Sequence, residues 1–283
     1  MNKLNFPLLI IAFLAFTRAA TAQEIKLYPD GYIPVDNSPM KKDSLVVFTD
    51  AQFFLVREVR EPSIEIFKAK GVRKNKTIVV APGGGYYVLS IENEGSRVCE
   101  LLNNNGYDAA LLRYRVPTPK GDNRHVRSYQ DIQRALSLVR AKGSEYGISS
   151  EQVGVIGFSA GGFISALSSC SDRSYEVIDE IDGFSCKPDF CALIYPGGLE
   201  GENFGVEKNI KINSSIPQTF ISVAEDDNCV YGAMYYYHAL AKAKVSATLH
   251  IFSDGGHGFG VRNTGSAREW KERYIDWLDK LEL

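Results

Sequence analysis

The chain of 283 residues is close to charge balance, with 32 Lys and Arg against 34 Asp and Glu and a net charge of −2. Without a basic cluster it has no electrostatic footprint for a nucleic-acid partner. At 45% hydrophobic and 23% charged residues, its composition is that of a globular protein able to bury a large core.

The first 22 residues differ from the rest. Lys3 lies near the start, an apolar run covers residues 8–16, and Ala20-Thr21-Ala22 precedes Gln23. A charged start, a short apolar centre and a small-x-small site are the layout of a signal peptide, with cleavage expected after Ala22. A membrane anchor needs about 20 apolar residues; this run is shorter and Arg18 interrupts it. Cleavage removes Lys3 and Arg18, leaving 30 basic against 34 acidic residues, a net charge of −4. The expectation is a soluble protein, secreted or periplasmic, with no membrane contact in its mature form.

Residues 23–42, rich in Pro, Asp, Gly and Asn, read as an extended arm with turns laid over the surface of a domain spanning 23–283. Strands are expected around 45–48 and 63–67, the second alternating apolar and polar as a half-exposed edge strand does. Thr77-Ile78-Val79-Val80-Ala81 is apolar and β-branched on both faces, the signature of a buried parallel strand. From there strands and helices alternate: a helix over 97–102, a strand over 109–114, an amphipathic helix over 129–141 and a strand over 152–158. A helix over 160–169, strands over 190–195 and 219–223, a helix over 231–244, a strand over 247–252 and a helix over 267–281 complete the chain. This order predicts an α/β fold, a mostly parallel central sheet with helices on both faces. Asp131 and Arg134, three apart in the helix over 129–141, are expected to pair on its surface, contributing under about 1 kcal/mol.

Five cysteines, Cys99, Cys170, Cys186, Cys191 and Cys229, leave at least one thiol over if disulfides form. Cys186 and Cys191 bracket a short segment and could close a small loop, whereas Cys99 packs as a small hydrophobe in a helical pattern. There is no Cys-x-x-Cys and the four histidines are not at ligand spacing, so neither a metal site nor a cofactor is expected.

Chemistry concentrates where strands end, because ligands of open parallel sheets bind outside the carboxyl ends of the strands. Gly157-Phe158-Ser159-Ala160-Gly161 places a serine between an apolar strand and a helix. A serine attacks a carbonyl only when held clear of the backbone, beside a base and near donors for the oxyanion. A strained strand-to-helix turn does this, and glycines two before and two after the serine remove the side chains that would clash. Pro82-Gly83-Gly84-Gly85-Tyr86, after the buried strand, lets backbone N–H groups approach a substrate. It lacks the Gly-Lys-Ser/Thr of a phosphate loop. After the strand over 219–223 come Glu225, Asp226 and Asp227; Asp227 is the chosen acid and Asp226 the fallback. His257, set among Gly255, Gly256, Gly258 and Gly260, fits a base reaching Ser159 from a loop. His125, His238 and His250 read as structural, although His125 could border the cleft. The order Ser159, Asp227, His257 is that of a nucleophile, acid and base in α/β-hydrolases.

The segments Ile25-Lys26-Leu27-Tyr28-Pro29-Asp30-Gly31, Ala81-Pro82-Gly83-Gly84-Gly85-Tyr86, Ser90-Ile91-Glu92-Asn93-Glu94-Gly95, Leu112-Arg113-Tyr114-Arg115, Gly157-Phe158-Ser159-Ala160-Gly161-Gly162 and Gly255-Gly256-His257-Gly258-Phe259-Gly260 resemble the secreted bacterial acetylxylan esterase-like branch of the α/β-hydrolases. The likeness extends over nearly the whole chain after residue 22. It implies an α/β-hydrolase fold, with Ser159, Asp227 and His257 as nucleophile, acid and base, and oxyanion donors on the backbone of Ala160 and of Gly84 or Gly85. Relatives with His-Gly-Gly-Gly have a histidine where this chain has Pro82. The implied reaction is cleavage of acetyl esters on plant polysaccharides or oligosaccharides, a small-molecule or oligosaccharide partner.

With only residues 196–217 available as a cap, small acyl groups are favoured. A neutral base predicts activity that falls below about pH 6 to 7. Two other readings stand beside this one: a serine peptidase of prolyl-oligopeptidase type, for whose propeller the chain has no room, and a non-catalytic carbohydrate-binding protein on the same fold.

Overall fold

The computed structural model describes residues 23–32, 46–49, 54–120, 123–262 and 265–282. The signal peptide expected over 1–22 lies outside them, as does the arm beyond residue 32.

Buried β-branched and aliphatic runs build the centre. The strands are β1 (Gln23–Lys26), β2 (Val46–Thr49), β3 (Phe54–Arg57), β4 (Ser63–Phe67), β5 (Lys76–Ala81), β6 (Asp108–Arg113), β7 (Gln152–Phe158), β8 (Phe190–Ile194), β9 (Gln218–Ala224) and β10 (Ala247–Phe252). The helices are α1 (Arg97–Asn104), α2 (Val126–Lys142), α3 (Ala160–Cys170), α4 (Val230–Lys242) and α5 (Trp270–Lys280). Eight strands form one sheet in the order β1-β4-β6-β5-β7-β8-β9-β10, and β2 and β3 form a separate antiparallel pair. From β6 to β10 every neighbouring pair is parallel; β1 with β4 and β4 with β6 are antiparallel. The five residues of β8 are all buried, as are all but the first residue of β5 and β7, because helices cover both faces.

Right-handed crossovers put α1, which leads from β5 back to β6, on the face opposite α2, α3 and α4, which advance the chain toward β10. α5 closes the α1 face: Trp270 packs edge-on against Phe158, Tyr274 against Phe220 and Trp277 against Phe190. The expected α/β architecture is the observed one, and the strands over 152–158 and 247–252 have the expected bounds.

Four expectations are corrected. The arm begins as β1, hydrogen-bonded along β4, so β4 is an interior strand rather than an edge. Leu27 and Tyr28, which follow β1, are buried rather than laid over the surface. Asp131 and Arg134 do not form a surface pair. Both are buried, Asp131 against Arg115 and the Tyr28 hydroxyl, Arg134 against Asp179 and Asp182. Leu27 also receives a bond on its carbonyl from Arg134 Nε, so the start of the chain covers what a helical wheel assigns to solvent. All five cysteines are free, so Cys186 and Cys191 do not close a loop; Cys191 lies inside β8 beside Ser169 and Cys170 of α3. Cys99 is fully buried in α1 as a small apolar side chain.

Candidate active site

The loops after β5, β7, β8, β9 and β10 leave the same edge of the parallel sheet, so residues far apart in sequence meet there. Ser159 is the single residue between β7 and α3, with φ 50 and ψ −115, a left-handed conformation that costs free energy in any residue bearing a Cβ. Its surroundings hold the turn closed. The N–H of Ser159 donates to Ile194 O (3.1 Å), and its carbonyl accepts from the N–H groups of Phe163 (3.1 Å) and Gly197 (3.0 Å). A Cβ on Gly157 would lie 2.3 Å from Gly161 O, and one on Gly161 would lie 2.1 Å from Ala81 O. Both glycines are therefore fixed by backbone approaching backbone, as the motif requires.

Ser159 Oγ lies 2.8 Å from His257 Nε2. The other ring nitrogen, Nδ1, lies 2.8 Å and 3.0 Å from the two carboxylate oxygens of Asp227. Asp227 is buried and its Oδ1 also accepts the Cys229 N–H at 2.8 Å. Asp226 turns elsewhere: its carboxylate accepts from the N–H of Gly256 (2.8 Å) and Gly255 (3.4 Å), tying down the loop that carries His257. Of the two adjacent acids, the chosen one faces the imidazole and the fallback holds its loop.

The electrostatics follow from this pairing. The hydrogen bond to Asp227, and after it the one to Cys229, outweigh burial and push the His257 pKa up to about 10. Burial works to raise the Asp227 pKa, but the bonds from His257 and the Cys229 N–H win and hold it below the usual carboxylate value. Each partner stabilises the other's charge.

The glycine run lies against Ser159. A Cβ on Gly83 would come within 2.9 Å of both Ser159 Cβ and Phe158 O. Gly83 N–H is spent on Glu94 Oε2 at 2.7 Å. Gly84, Gly85 and Tyr86 follow with φ of 131, 63 and 67, and Gly84 O accepts from the N–H groups of Tyr87 and Val88. Ala160 is the first residue of α3, where N–H groups are left without helical partners. His125 is half-buried with its ring on Phe163 (5.1 Å), and burial lowers its pKa. His238 lies in α4 and His250 in β10.

Three residues at this site carry no sequence signal strong enough to single them out for it. Cys229 lies beside His257, and ligand atoms of Asp227, Cys229 and His257 come within 4.8 Å of one another. These are the only three His, Cys, Asp or Glu residues among the described residues so grouped as to hold a metal ion. Tyr195, the residue after β8, packs its ring edge-on to His257 (5.1 Å) and to Phe259 (4.4 Å). Glu94 is buried between the glycine loop and Tyr195. Their partners are distant in sequence, and only the resemblance of residues 90–95 touches any of them.

Residues 64–190 match the BD-FAE family model. An acetylxylan esterase of Xylanibacter ruminicola is 28% identical over 212 residues, which are 65% of this chain and 41% of the relative. An endo-1,4-beta-xylanase B of Butyrivibrio fibrisolvens is 28% identical over 221 residues, 70% of this chain and 34% of that protein. The chain thus spans less than half the length of both curated relatives. Among solved structures, an acetyl ester-xyloside bifunctional hydrolase from Caldicellulosiruptor lactoaceticus superposes with a TM-score of 0.72 at 26% identity, covering 91% of this chain and 96% of that one. The chain has the α/β-hydrolase fold and is similar to acetylxylan esterases.

Proposed function

We propose that this α/β-hydrolase-fold chain is a serine esterase that removes short acyl groups, acetyl above all, from xylan or related plant polysaccharides and oligosaccharides. The observation that carries the reading is the continuous contact from Ser159 Oγ through the His257 ring to the buried Asp227 carboxylate. In this reading Ser159 attacks the ester carbonyl and His257 takes its proton at Nε2. Asp227 holds the ring with Nδ1–H toward its carboxylate and stabilises the imidazolium that forms. The N–H groups of Ala160, Gly84 and Gly85 receive the oxyanion; within the described residues, those of Gly84 and Gly85 have no protein acceptor. One such donor contributes about 3 kcal/mol to lowering the barrier. The alcohol leaves with the proton from His257, and water, activated by the same imidazole, then releases the acyl group from Ser159.

The likeness to an acetylxylan esterase and to an acetyl ester-xyloside hydrolase supports the acetyl group and the xylan-derived alcohol. We further propose that residues 1–22 are a signal peptide cleaved after Ala22, so that the mature chain is exported; among the described residues no helix is long and apolar enough to cross a membrane. Acetate release, measured across acetylated xylan, other acetylated glycans and simple aryl esters, tests the assignment. Release from acetylated xylo-oligosaccharides supports it, and cleavage of peptide substrates with no ester cleavage rejects it.

A further inference from the structure

The π-helical turn Glu92–Ser96 stands between the glycine loop and α1 and buries Glu94. Both carboxylate oxygens of Glu94 are occupied. Oε2 accepts the Gly83 N–H at 2.7 Å and Oε1 accepts the Tyr195 hydroxyl at 2.9 Å. The Tyr195 oxygen in turn accepts the Gly260 N–H at 2.9 Å. One carboxylate therefore joins three strand-end loops: the oxyanion loop after β5, the loop after β8 that shelters Ser159, and the His257 loop after β10. The neighbouring Asn93 adds two bonds to that last loop, from its Nδ2 to Gly258 O (3.2 Å) and from Val261 N–H to its carbonyl (3.2 Å). Gly260 is fixed by this contact, since a Cβ there would lie 2.2 Å from Asn93 Nδ2.

The hydrogen-bond chemistry specifies the charge state. Gly83 offers only a donor, and the Tyr195 oxygen already accepts from Gly260, so its proton is directed at Glu94. Two donors facing two oxygens call for an ionised carboxylate; a protonated acid would aim its own hydrogen at one of them. Burial holds the Glu94 pKa above the usual carboxylate value, and the bonds from Gly83 and Tyr195 and the positive charges of His257 and Arg262 offset only part of that rise. His257 is faced by Asp227 and Cys229 from the loop after β9 and by Tyr195 from the loop after β8, and Glu94, bonded to the Tyr195 hydroxyl behind that ring, interacts with its charge. Arg262, on its own loop, is held to Gly258 O.

Taking Ser159 as nucleophile and His257 as base, we propose that Glu94 is a positioning residue for the ester hydrolysis. Its ionised carboxylate, acting with Tyr195, locks the oxyanion loop and the His257 loop against Ser159 and supplies a second negative charge that favours the imidazolium formed during attack. The role is separable from simple core packing because it alters proton affinity at His257 as well as loop geometry.

The test uses Glu94→Gln and Tyr195→Phe in the full-length protein, assayed on an aryl acetate across pH, with thermal melting measured alongside. Glu94→Gln is expected to lower kcat by about tenfold or more with KM changed by less than about threefold, as befits a loss felt in the transition state. It also shifts the acid limb of kcat/KM to lower pH, since a negative charge near His257 is gone. Tyr195→Phe keeps the charge and removes one bond; it is expected to lower kcat by about tenfold at a near-native melting temperature. Glu94→Asp, which keeps the charge, restores the acid limb toward the wild-type position.

Wild-type kcat and pH profile in a folded Glu94→Gln protein would overturn the proposal. So would a fall in kcat that only tracks the unfolded fraction while the acid limb stays in place. If Glu94→Gln does not fold, wild-type kcat in Tyr195→Phe overturns it instead. Ser159→Ala separates the two levels: residual full turnover there rejects the nucleophile assignment itself, whereas an inactive Ser159→Ala beside unaffected Glu94 and Tyr195 variants rejects this inference alone.

Discussion

Cys229 Sγ lies 3.7 Å from His257 Nδ1, the same ring nitrogen that faces Asp227. Thiolate sulfur, imidazole nitrogen and carboxylate oxygen are all zinc ligands, and tetrahedral bonds of about 2.0 to 2.3 Å separate such atoms by roughly 3.3 to 3.7 Å. A thiophilic cation held here would remove Nδ1 from Asp227 and take the base out of use. Zinc at micromolar concentration is therefore expected to inhibit ester hydrolysis, with activity restored by EDTA. Cys229→Ala should be several-fold less sensitive. Equal sensitivity of the two proteins would place the inhibitory site elsewhere.

The pH profile should depart from that of an isolated imidazole. The bond to Asp227 raises the His257 pKa, and a base works only when neutral, so the acid limb of kcat/KM moves above the ordinary value of about 6.5. An imidazole without such a partner would lose activity only below about pH 6 to 7. Initial rates on an aryl acetate from pH 5 to 10 measure it. An apparent pKa at or below about 6.5 would contradict the pairing.

Asp227 and Asp226 are adjacent yet should respond differently. Asp227→Asn leaves the ring without its carboxylate and is expected to lower kcat by about 10³ to 10⁴, as loss of the orienting acid does in serine hydrolases. Asp226→Asn only weakens the bonds to Gly255 and Gly256 N–H, and a loss of about tenfold or less is expected. Equal losses, or the reverse order, would move the acid assignment to Asp226.

Stability should depend on the buried ions of α2 rather than on its apolar face alone. Asp131 is fully buried between Arg115 and Tyr28, and removing one partner strands a buried charge. Asp131→Ala is expected to destabilise the fold by about 3–5 kcal/mol in denaturant unfolding. A change under about 1 kcal/mol, the value of a surface pair, would contradict the burial.

These cases also show which parts were legible in the sequence. Ser159, Asp227, His257 and Gly84 each follow a strand with a strong local pattern, so order along the chain was enough to propose them together. Asp131 and Arg134 look like surface residues locally, and only the fold shows that Leu27, Tyr28, Asp179 and Asp182 cover them. Ser63–Phe67 alternates like an edge strand, and its neighbour β1 was hidden in a segment rich in turn residues. Tyr195 and Glu94 are 101 residues apart, and Cys229 and His257 are 28 apart. No periodicity or spacing rule joins such pairs, because the sheet alone sets their distance.

The central claim is that Ser159 is the nucleophile activated by His257. Intact-mass analysis after treatment with a fluorophosphonate, followed by peptide mapping, addresses it most directly. One adduct per chain on Ser159, absent from Ser159→Ala and strongly slowed in His257→Ala, is the predicted result. Ester turnover that persists in Ser159→Ala, or labelling confined to another residue, would contradict it.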